Sequence, residues 1–124
     1  MPNATLDIDE LQTSLLRSLA SAHRLRILHL LGERPREVNE VARELGLSQT
    51  ATSQHLAAMR AVGLVDAVRD GRTVTYQLSD PQILAACGLM REVLVRRLSR
   101  LGDLVAAFHE SAVPYPTLSQ EGHS

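Results

Sequence analysis

Aromatic residues are nearly absent from this chain of 124 residues, which has no tryptophan, one phenylalanine and two tyrosines. Its core must therefore be built from aliphatic side chains, a balance that favours helices. A single cysteine, Cys87, excludes an internal disulfide, and no apolar run approaches the ~20 residues that span a bilayer. The first residues show neither a basic start nor an apolar run, so we expect a cytoplasmic protein with no membrane partner.

The length is that of one domain, and 44% hydrophobic with 22% charged residues is ordinary globular usage. The net charge of −1 hides an uneven distribution along the chain. Residues 17–72 carry nine arginines against six acidic residues, whereas residues 1–16 carry three acidic residues and no basic one. The middle of the chain is therefore its basic part, where a surface that binds nucleic acid is expected.

Apolar residues recur at intervals of three and four in four successive segments, which is the spacing of amphipathic helices. The first predicted helix runs from Ile8 to Leu19, and the second follows Ser21 and ends at Gly32. The third runs from Val38 to Leu45 before Gly46. The fourth is capped by Ser48, has an inward row of Thr52, Leu56, Met59 and Val62, and ends at Gly63. Only a three-residue turn separates the third helix from the fourth.

From residue 64 the apolar period changes to two. Alternating runs at 64–69 and 72–78 flank Asp70-Gly71, which predicts a β-hairpin that leans on the helices. After Asp80-Pro81 the pattern predicts one long helix to about Phe108, roughly 28 residues or ~42 Å, with an apolar stripe from Ile83 to Phe108. Because a domain of this size is narrower than that, part of the stripe needs an external partner.

Two helices joined by a short turn and followed by an arginine-tipped hairpin are the arrangement of a winged helix-turn-helix. The solvent face of the fourth helix carries short polar side chains that can bond base edges in the major groove, and its N-terminus favours a phosphate. The hairpin places arginines near the minor groove or its phosphates. The candidate DNA-binding residues are Ser48, Gln49, Thr50, Ser53, Gln54, His55, Arg69 and Arg72.

Five segments resemble the ArsR/SmtB family of bacterial transcriptional repressors: residues 20–28 (ASAHRLRIL), 40–49 (EVARELGLSQ), 53–56 (SQHL), 63–65 (GLV) and 69–78 (RDGRTVTYQL). The resemblance covers about residues 15–94. It implies a mainly α winged helix-turn-helix of order α-α-α-α-β-β-α and a homodimer joined through the first and last helices. It also implies DNA contact by the candidate residues, with paired fourth helices in successive major grooves of a palindromic operator. We expect this domain, with its dimerisation helices, to span residues 1–112 and residues 113–124 to be a flexible tail.

The metal sites of that family are not recognisable here. The resemblance places its thiolate pair at Glu37 and Asn39, which are not soft-metal ligands, and residues 80–82 lack the Asp-x-His pattern of its zinc or nickel site. We therefore expect no cofactor and no family metal site. One alternative is a metal-responsive repressor with a non-standard site made from Asp103, His109, Glu110 and His123. The other is an interaction module that keeps the winged fold without binding DNA.

The remaining reactive side chains favour no further chemistry. Cys87 lies on the apolar stripe, where we expect a small buried hydrophobe, and we interpret His23 and His29 as structural. Gly88 and Gly102 interrupt the long helix and allow either close helix crossing or a pocket at the dimer seam. A small organic effector in that pocket is one hypothesis, and a dimer with no effector is the other. No catalytic triad, carboxylate pair or phosphate loop is present, so we expect no enzyme.

Overall fold

The computed structural model describes residues 7–102, which form five helices and three strands. These are α1 (Ile8–Leu19), α2 (Ala22–Glu33), β1 (Arg36–Glu37), α3 (Val38–Leu45), α4 (Gln49–Ala61), β2 (Val65–Asp70), β3 (Thr73–Leu78) and α5 (Gln82–Arg100). The predicted fold, mainly α with a small β-hairpin, is confirmed. Described residues up to Asp80 form one compact unit, and those from Pro81 onward form a second.

Side-chain caps start the first two helices, and of these two caps only Ser21 was predicted. The Asp7 carboxylate accepts from the backbone N–H groups of Asp9 and Glu10 at 2.9 and 3.3 Å, and the Ser21 hydroxyl accepts from that of Arg24 at 3.3 Å. The predicted end of α2 at Gly32 is wrong, because the helix continues to Glu33. The helix ends there because Arg34, its C-cap, precedes Pro35 and has an extended backbone, as proline requires of the residue before it.

A third strand, β1, was not predicted. Arg36 and Glu37 pair with Tyr76 and Thr75 of β3, which gives a three-stranded antiparallel sheet of order β1-β3-β2. The Arg36 side chain is buried. Two charged residues show no hydrophobic period, so the sequence gives no sign of this strand.

The hairpin forms as predicted, but its turn lies one residue later. Asp70 pairs with Thr73 as the last rung of the ladder, so the two turn residues are Gly71 and Arg72. Gly71 has φ +66°, a left-handed conformation that glycine adopts without strain. The hairpin of β2 and β3 is called the wing from here on.

The core of the first unit is aliphatic, as the lack of aromatic residues requires. Its largest fully buried side chains come from α2, α3, α4 and β2: Ile27, Leu28, Val41, Thr52, Leu56, Met59 and Val65. The predicted inward row of α4 is thus buried at three positions. Val62 is only half-buried, because it lies at the C-cap of α4 beside a groove lined by α1 residues.

Helix α5 ends at Arg100, which is shorter than the predicted helix to Phe108. Gly102 has φ +60° and its N–H donates to the carbonyl of Ser99 at 3.3 Å, a left-handed helix end. Phe108 lies outside the described residues. Five large apolar side chains of this segment are about half or more exposed: Leu89, Met90, Val93, Leu94 and Leu101. None of the helices in residues 7–102 has the length and hydropathy needed to cross a membrane.

Candidate nucleic-acid interface

A tight turn sets helix α4 against helix α3. Gly46 is left-handed at φ +68°, and the N–H of Leu47 donates back to the carbonyl of Ala42 at 3.0 Å. These are the marks of a glycine-terminated helix end. Since Ser48 follows at once as the cap of α4, the turn leaves little freedom in the angle between the two helices.

Ser48 organises the N-terminus of α4. Its hydroxyl accepts from the backbone N–H of Ala51 at 3.0 Å, and its carbonyl accepts from the backbone N–H and the hydroxyl of Thr52 at 3.0 and 2.8 Å. The amides of Gln49 and Thr50 belong to the first turn, where no helical carbonyl reaches them. The helix therefore presents amide donors and the positive end of its dipole, an arrangement suited to a phosphate.

The face of α4 that points away from the core is polar. Gln49, Thr50, Ser53 and Gln54 are exposed, while Thr52, Leu56 and Met59 on the opposite face are fully buried. The buried face fixes the rotation of the helix, so the exposed side chains keep a defined direction. Their amides and hydroxyls can each donate and accept, which is what reading of base edges requires.

Ala57 extends this exposed face by one turn and was missed by the sequence analysis. It lies three and four residues after Gln54 and Ser53, so helical spacing places it on the same side. A methyl group at such a position can contact the methyl group of thymine. The helical period could have found it, but an alanine carries no polar signal.

His55 differs from the other predicted residues of α4, because it is half-buried. Its Nδ1 accepts a hydrogen bond from Nε of Arg24 at 3.1 Å, and its ring centroid lies 5.6 Å from that of His23. Burial, and then the charges of Arg24 and His23, lower the pKa of His55 below its usual value. The imidazole is therefore neutral at neutral pH, and the structure couples it to α2.

Arg24 was not among the predicted site residues. Besides His55, its guanidinium donates through Nη1 to the carbonyl of Ser18 at 3.2 Å and to the Ser18 hydroxyl at 3.4 Å. It thus connects the end of α1 with helix α4. Arg24 and His55 are 31 residues apart in the chain, and no short-range pattern could indicate their contact.

The two predicted wing residues lie at and near its tip. Arg69 stands on β2 opposite Val74, Arg72 is in the turn, and both are exposed. Asp66 also lies on β2, and its carboxylate accepts a hydrogen bond from the Ser79 hydroxyl at 2.9 Å. The predicted residues thus form two groups, one on α4 with its cap and one at the wing tip.

Buried charge anchors the base of the wing. The guanidinium of Arg36 donates to the carbonyl of Leu30 at 3.0 Å, to Glu33 at 2.5 Å and to Glu40 at 3.4 Å. Glu40 also pairs with Arg34, and this hydrogen bond is the main cause of the lowered pKa of the Glu40 carboxyl. Strand β1 is thereby fixed to α2 and α3 by side chains as well as by the sheet.

No group of three or more metal-ligating side chains occurs within the described part of the chain. Glu37 and Asn39, where the family thiolates were expected by resemblance, are exposed at the start of α3. The residues proposed for a non-standard site, Asp103, His109, Glu110 and His123, lie outside residues 7–102.

A short turn between two helices, a polar face on the second helix and an arginine-tipped wing define a winged helix-turn-helix DNA-binding domain. The model of the family described as "Bacterial regulatory protein, arsR family" matches residues 21–67. The HTH-type transcriptional regulator Rv0081 of Mycobacterium tuberculosis is 38% identical over 102 residues, which cover 82% of this chain and 87% of that protein. The chain belongs to the arsR family of bacterial regulatory proteins, as its sequence motifs predict.

Solved structures agree with this assignment. The crystal structure of Rv0081 matches with a TM-score of 0.69 and 36% identity, covering 77% of this chain and 97% of that one. The solution structure of a homodimeric winged helix-turn-helix DNA-binding domain, Mb0332 from Mycobacterium bovis, matches with a TM-score of 0.69 and 26% identity over 80% and 95% of the two chains. A similarity at the level of sequence adds to these structures: the transcriptional activator HlyU of Vibrio cholerae is 39% identical over a segment that covers 64% of this chain and 73% of HlyU.

Proposed function

We propose that this protein is a homodimeric transcriptional repressor that binds a palindromic operator through α4 and the wing. The observation that carries the proposal is the exposed row of Gln49, Thr50, Ser53 and Gln54 on a helix whose other face is fully buried. A row of donors and acceptors fixed in direction is what a helix needs to read base edges in the major groove. A protein with this role acts in the bacterial cytoplasm, where its DNA lies.

Each group of residues has its own task in the complex. The glutamines of α4 can bond adenine in bidentate fashion, and Ser48, Thr50 and Ser53 position the helix N-terminus on phosphates or bases. Arg69 and Arg72 add phosphate contacts from the wing, which raise affinity without reading sequence. Specificity is thus assigned to α4 and salt-dependent affinity to the wing tip.

Exposed apolar side chains supply the dimer interface. Helix α1 exposes Ile8, Leu11 and Leu16, and α5 exposes the row that includes Leu89, Met90, Val93 and Leu94. Exposed leucines and valines in such number on two helices are typical of an interaction surface. A dimer two-fold axis then matches the symmetry of a palindrome, with one α4 helix for each half-site. The homodimeric state of Mb0332 supports this arrangement.

The sign of regulation depends on where the operator lies. Repression follows from the family resemblance, since a dimer bound across a promoter excludes the polymerase. HlyU is named as an activator. Transcription measured in vitro from the protein's own promoter region, with and without the protein, decides the sign, and we expect it to fall.

The test is a titration of the purified protein against DNA from its own upstream region, at several salt concentrations. We expect salt-sensitive binding at two protomers per site. Substitutions Gln49→Ala and Gln54→Ala should each weaken binding about fivefold or more, because a good bidentate base contact contributes about 1–3 kcal/mol.

A matched control comes from another exposed glutamine. Gln12 on α1 lines a groove of about 530 Å³ together with Ala61 and Val62, at the end of α4 opposite Gln49. Gln12→Ala, once shown to be dimeric, should leave operator binding unchanged. Absence of binding to any upstream fragment would favour the interaction module. Loss of binding with one metal, restored by a chelator, would favour the metal-responsive alternative.

A further inference from the structure

Arg24 of α2 contacts α4, the helix proposed to read base edges. Its Nε donates to Nδ1 of His55, and its Nη1 donates to the carbonyl of Ser18 at the end of α1. One guanidinium therefore holds an imidazole of the DNA-reading helix against two other helices. Arg24 is itself half-buried and lies one turn into α2, whose cap Ser21 accepts from its backbone N–H.

This contact determines which nitrogen of His55 carries the proton. A guanidinium has only donors, so Nδ1 must offer a lone pair, and the single proton of the neutral ring must reside on Nε2. Within residues 7–102 the bond at Nδ1 is the only hydrogen bond of this ring. The groups that face it are Arg24 and His23 from α2. Both disfavour a second proton on the ring.

The two nitrogens of an imidazole point away from each other. With Nδ1 turned toward Arg24, Nε2–H is directed away from α2. His55 immediately follows Gln54 and lies two residues after Ser53, both on the exposed face of α4. A donor at the edge of this face suits a phosphate oxygen, which only accepts hydrogen bonds.

We propose that Arg24 is a positioning residue for DNA binding, which fixes His55 in the Nε2–H tautomer and so makes it a hydrogen-bond donor to an operator phosphate. This inference rests on the proposed function. Arg24 acts through His55 and does not itself touch the DNA. It also links the end of α1, a proposed dimerisation helix, to the base-reading helix, because the same guanidinium donates to Ser18 and to His55.

The first experiment uses the wild-type protein without DNA. Long-range ¹H–¹⁵N correlation spectra of histidine-labelled protein distinguish the two tautomers, and the signals missing from the His55→Gln variant assign the ring. We expect a protonated Nε2 and an unprotonated Nδ1 at neutral pH. A proton on Nδ1 would overturn the proposal, whatever the DNA-binding results.

The second experiment compares two amide replacements of His55 in operator titrations. The amide nitrogen of glutamine can occupy the place of Nε2–H, whereas asparagine is too short to reach it but can still accept from Arg24. We expect His55→Gln to keep affinity within a few-fold and His55→Asn to lose about tenfold or more, the effect of one hydrogen bond to a charged group. Equal losses for both variants would contradict a donor role.

The third experiment is a double-mutant cycle on operator affinity. Arg24→Met keeps the aliphatic length and removes the donors. In wild-type background we expect a loss of about fivefold or more, with an unchanged salt slope, and in the His55→Gln background little further loss. An equal loss in both backgrounds would show that Arg24 acts independently of His55, and a shallower salt slope would show that Arg24 itself neutralises a phosphate. Either result would overturn the inference.

The outcomes separate this inference from the proposed function. If wild-type protein fails to bind any upstream fragment, the proposed function is wrong and the inference falls with it. If wild-type protein binds and the cycle is additive, only the inference is wrong. Should Arg24→Met fail to fold, as judged by circular dichroism, the wild-type tautomer and the pair of His55 variants still decide the matter.

Discussion

The wing arginines allow a prediction of salt dependence that can be worked out in advance. Arg72 is exposed in the turn of the wing and is proposed to contact phosphate. The logarithm of a DNA-binding constant falls with the logarithm of salt concentration with a slope of about −0.9 for each phosphate neutralised. A dimer carries two copies of Arg72, so Arg72→Gln should make this slope shallower by about 1.8.

The slope translates into affinities. Between about 50 and 200 mM salt, a fourfold change, a slope difference of about 1.8 corresponds to a factor of about twelve. Arg72→Gln should therefore impair operator binding about twelvefold more severely at the lower salt concentration. Fluorescence anisotropy titrations at four or five salt concentrations measure both quantities.

Two controls accompany this measurement. Arg72→Lys retains the charge and should retain the slope. Gln54→Ala should lower affinity at every salt concentration without changing the slope, because a neutral base contact releases no counterion. An unchanged slope in Arg72→Gln, with the protein folded, would refute the assignment of Arg72 to the phosphate backbone.

Three further predictions concern the isolated protein. Leu56 is fully buried behind the polar face of α4, and Leu56→Ala should lower the free energy of unfolding by about 2–5 kcal/mol, as measured by denaturant titration. The control Ala57→Ser should change the free energy of unfolding by less than about 0.5 kcal/mol. The pKa of His55 is lower in the folded protein than its usual value of 6.5, so the unfolded chain binds the imidazole proton more tightly. The contribution of His55 to the free energy of unfolding is therefore complete above pH 6.5 and is lost as the pH falls through the folded pKa. Urea midpoints measured from pH 8 to 5 should show this loss, and His55→Gln should reduce it. Burial raises the pKa of Cys87, against a smaller opposing effect of Arg91, so the thiol should react with Ellman's reagent far more slowly in native than in denatured protein; equal rates would contradict this.

The helices and the hairpin could be predicted from the sequence because each depends on local signals. The caps Ser21 and Ser48, the left-handed Gly46 and the period of two after residue 64 all act over a few residues. The exposed row of α4 follows from helical spacing once the inward row is known. These signals are enough for the fold and for the main part of the candidate site.

The features that were missed depend on contacts distant in the chain. The pairing of Arg36 with Tyr76 creates β1, and the hydrogen bond of Arg24 to His55 ties a predicted DNA-contact residue to α2. The end of α5 was missed for a different reason. The apolar stripe continues past Gly102 and predicts an interruption within a helix, whereas the left-handed conformation of Gly102 ends one.

The pairing of β1 with β3 divides the wing into a fixed base and a projecting tip. β1 reaches β3 only at Thr75 and Tyr76, so the residues between Arg69 and Val74 are paired solely with one another. Substitutions at the tip should therefore leave the base in place, because the hydrogen bonds of Arg36 hold β1 independently of the tip. If the wing tip contacts DNA as proposed, a change of charge there should alter the affinity for DNA and leave the sequence preference assigned to α4 unchanged.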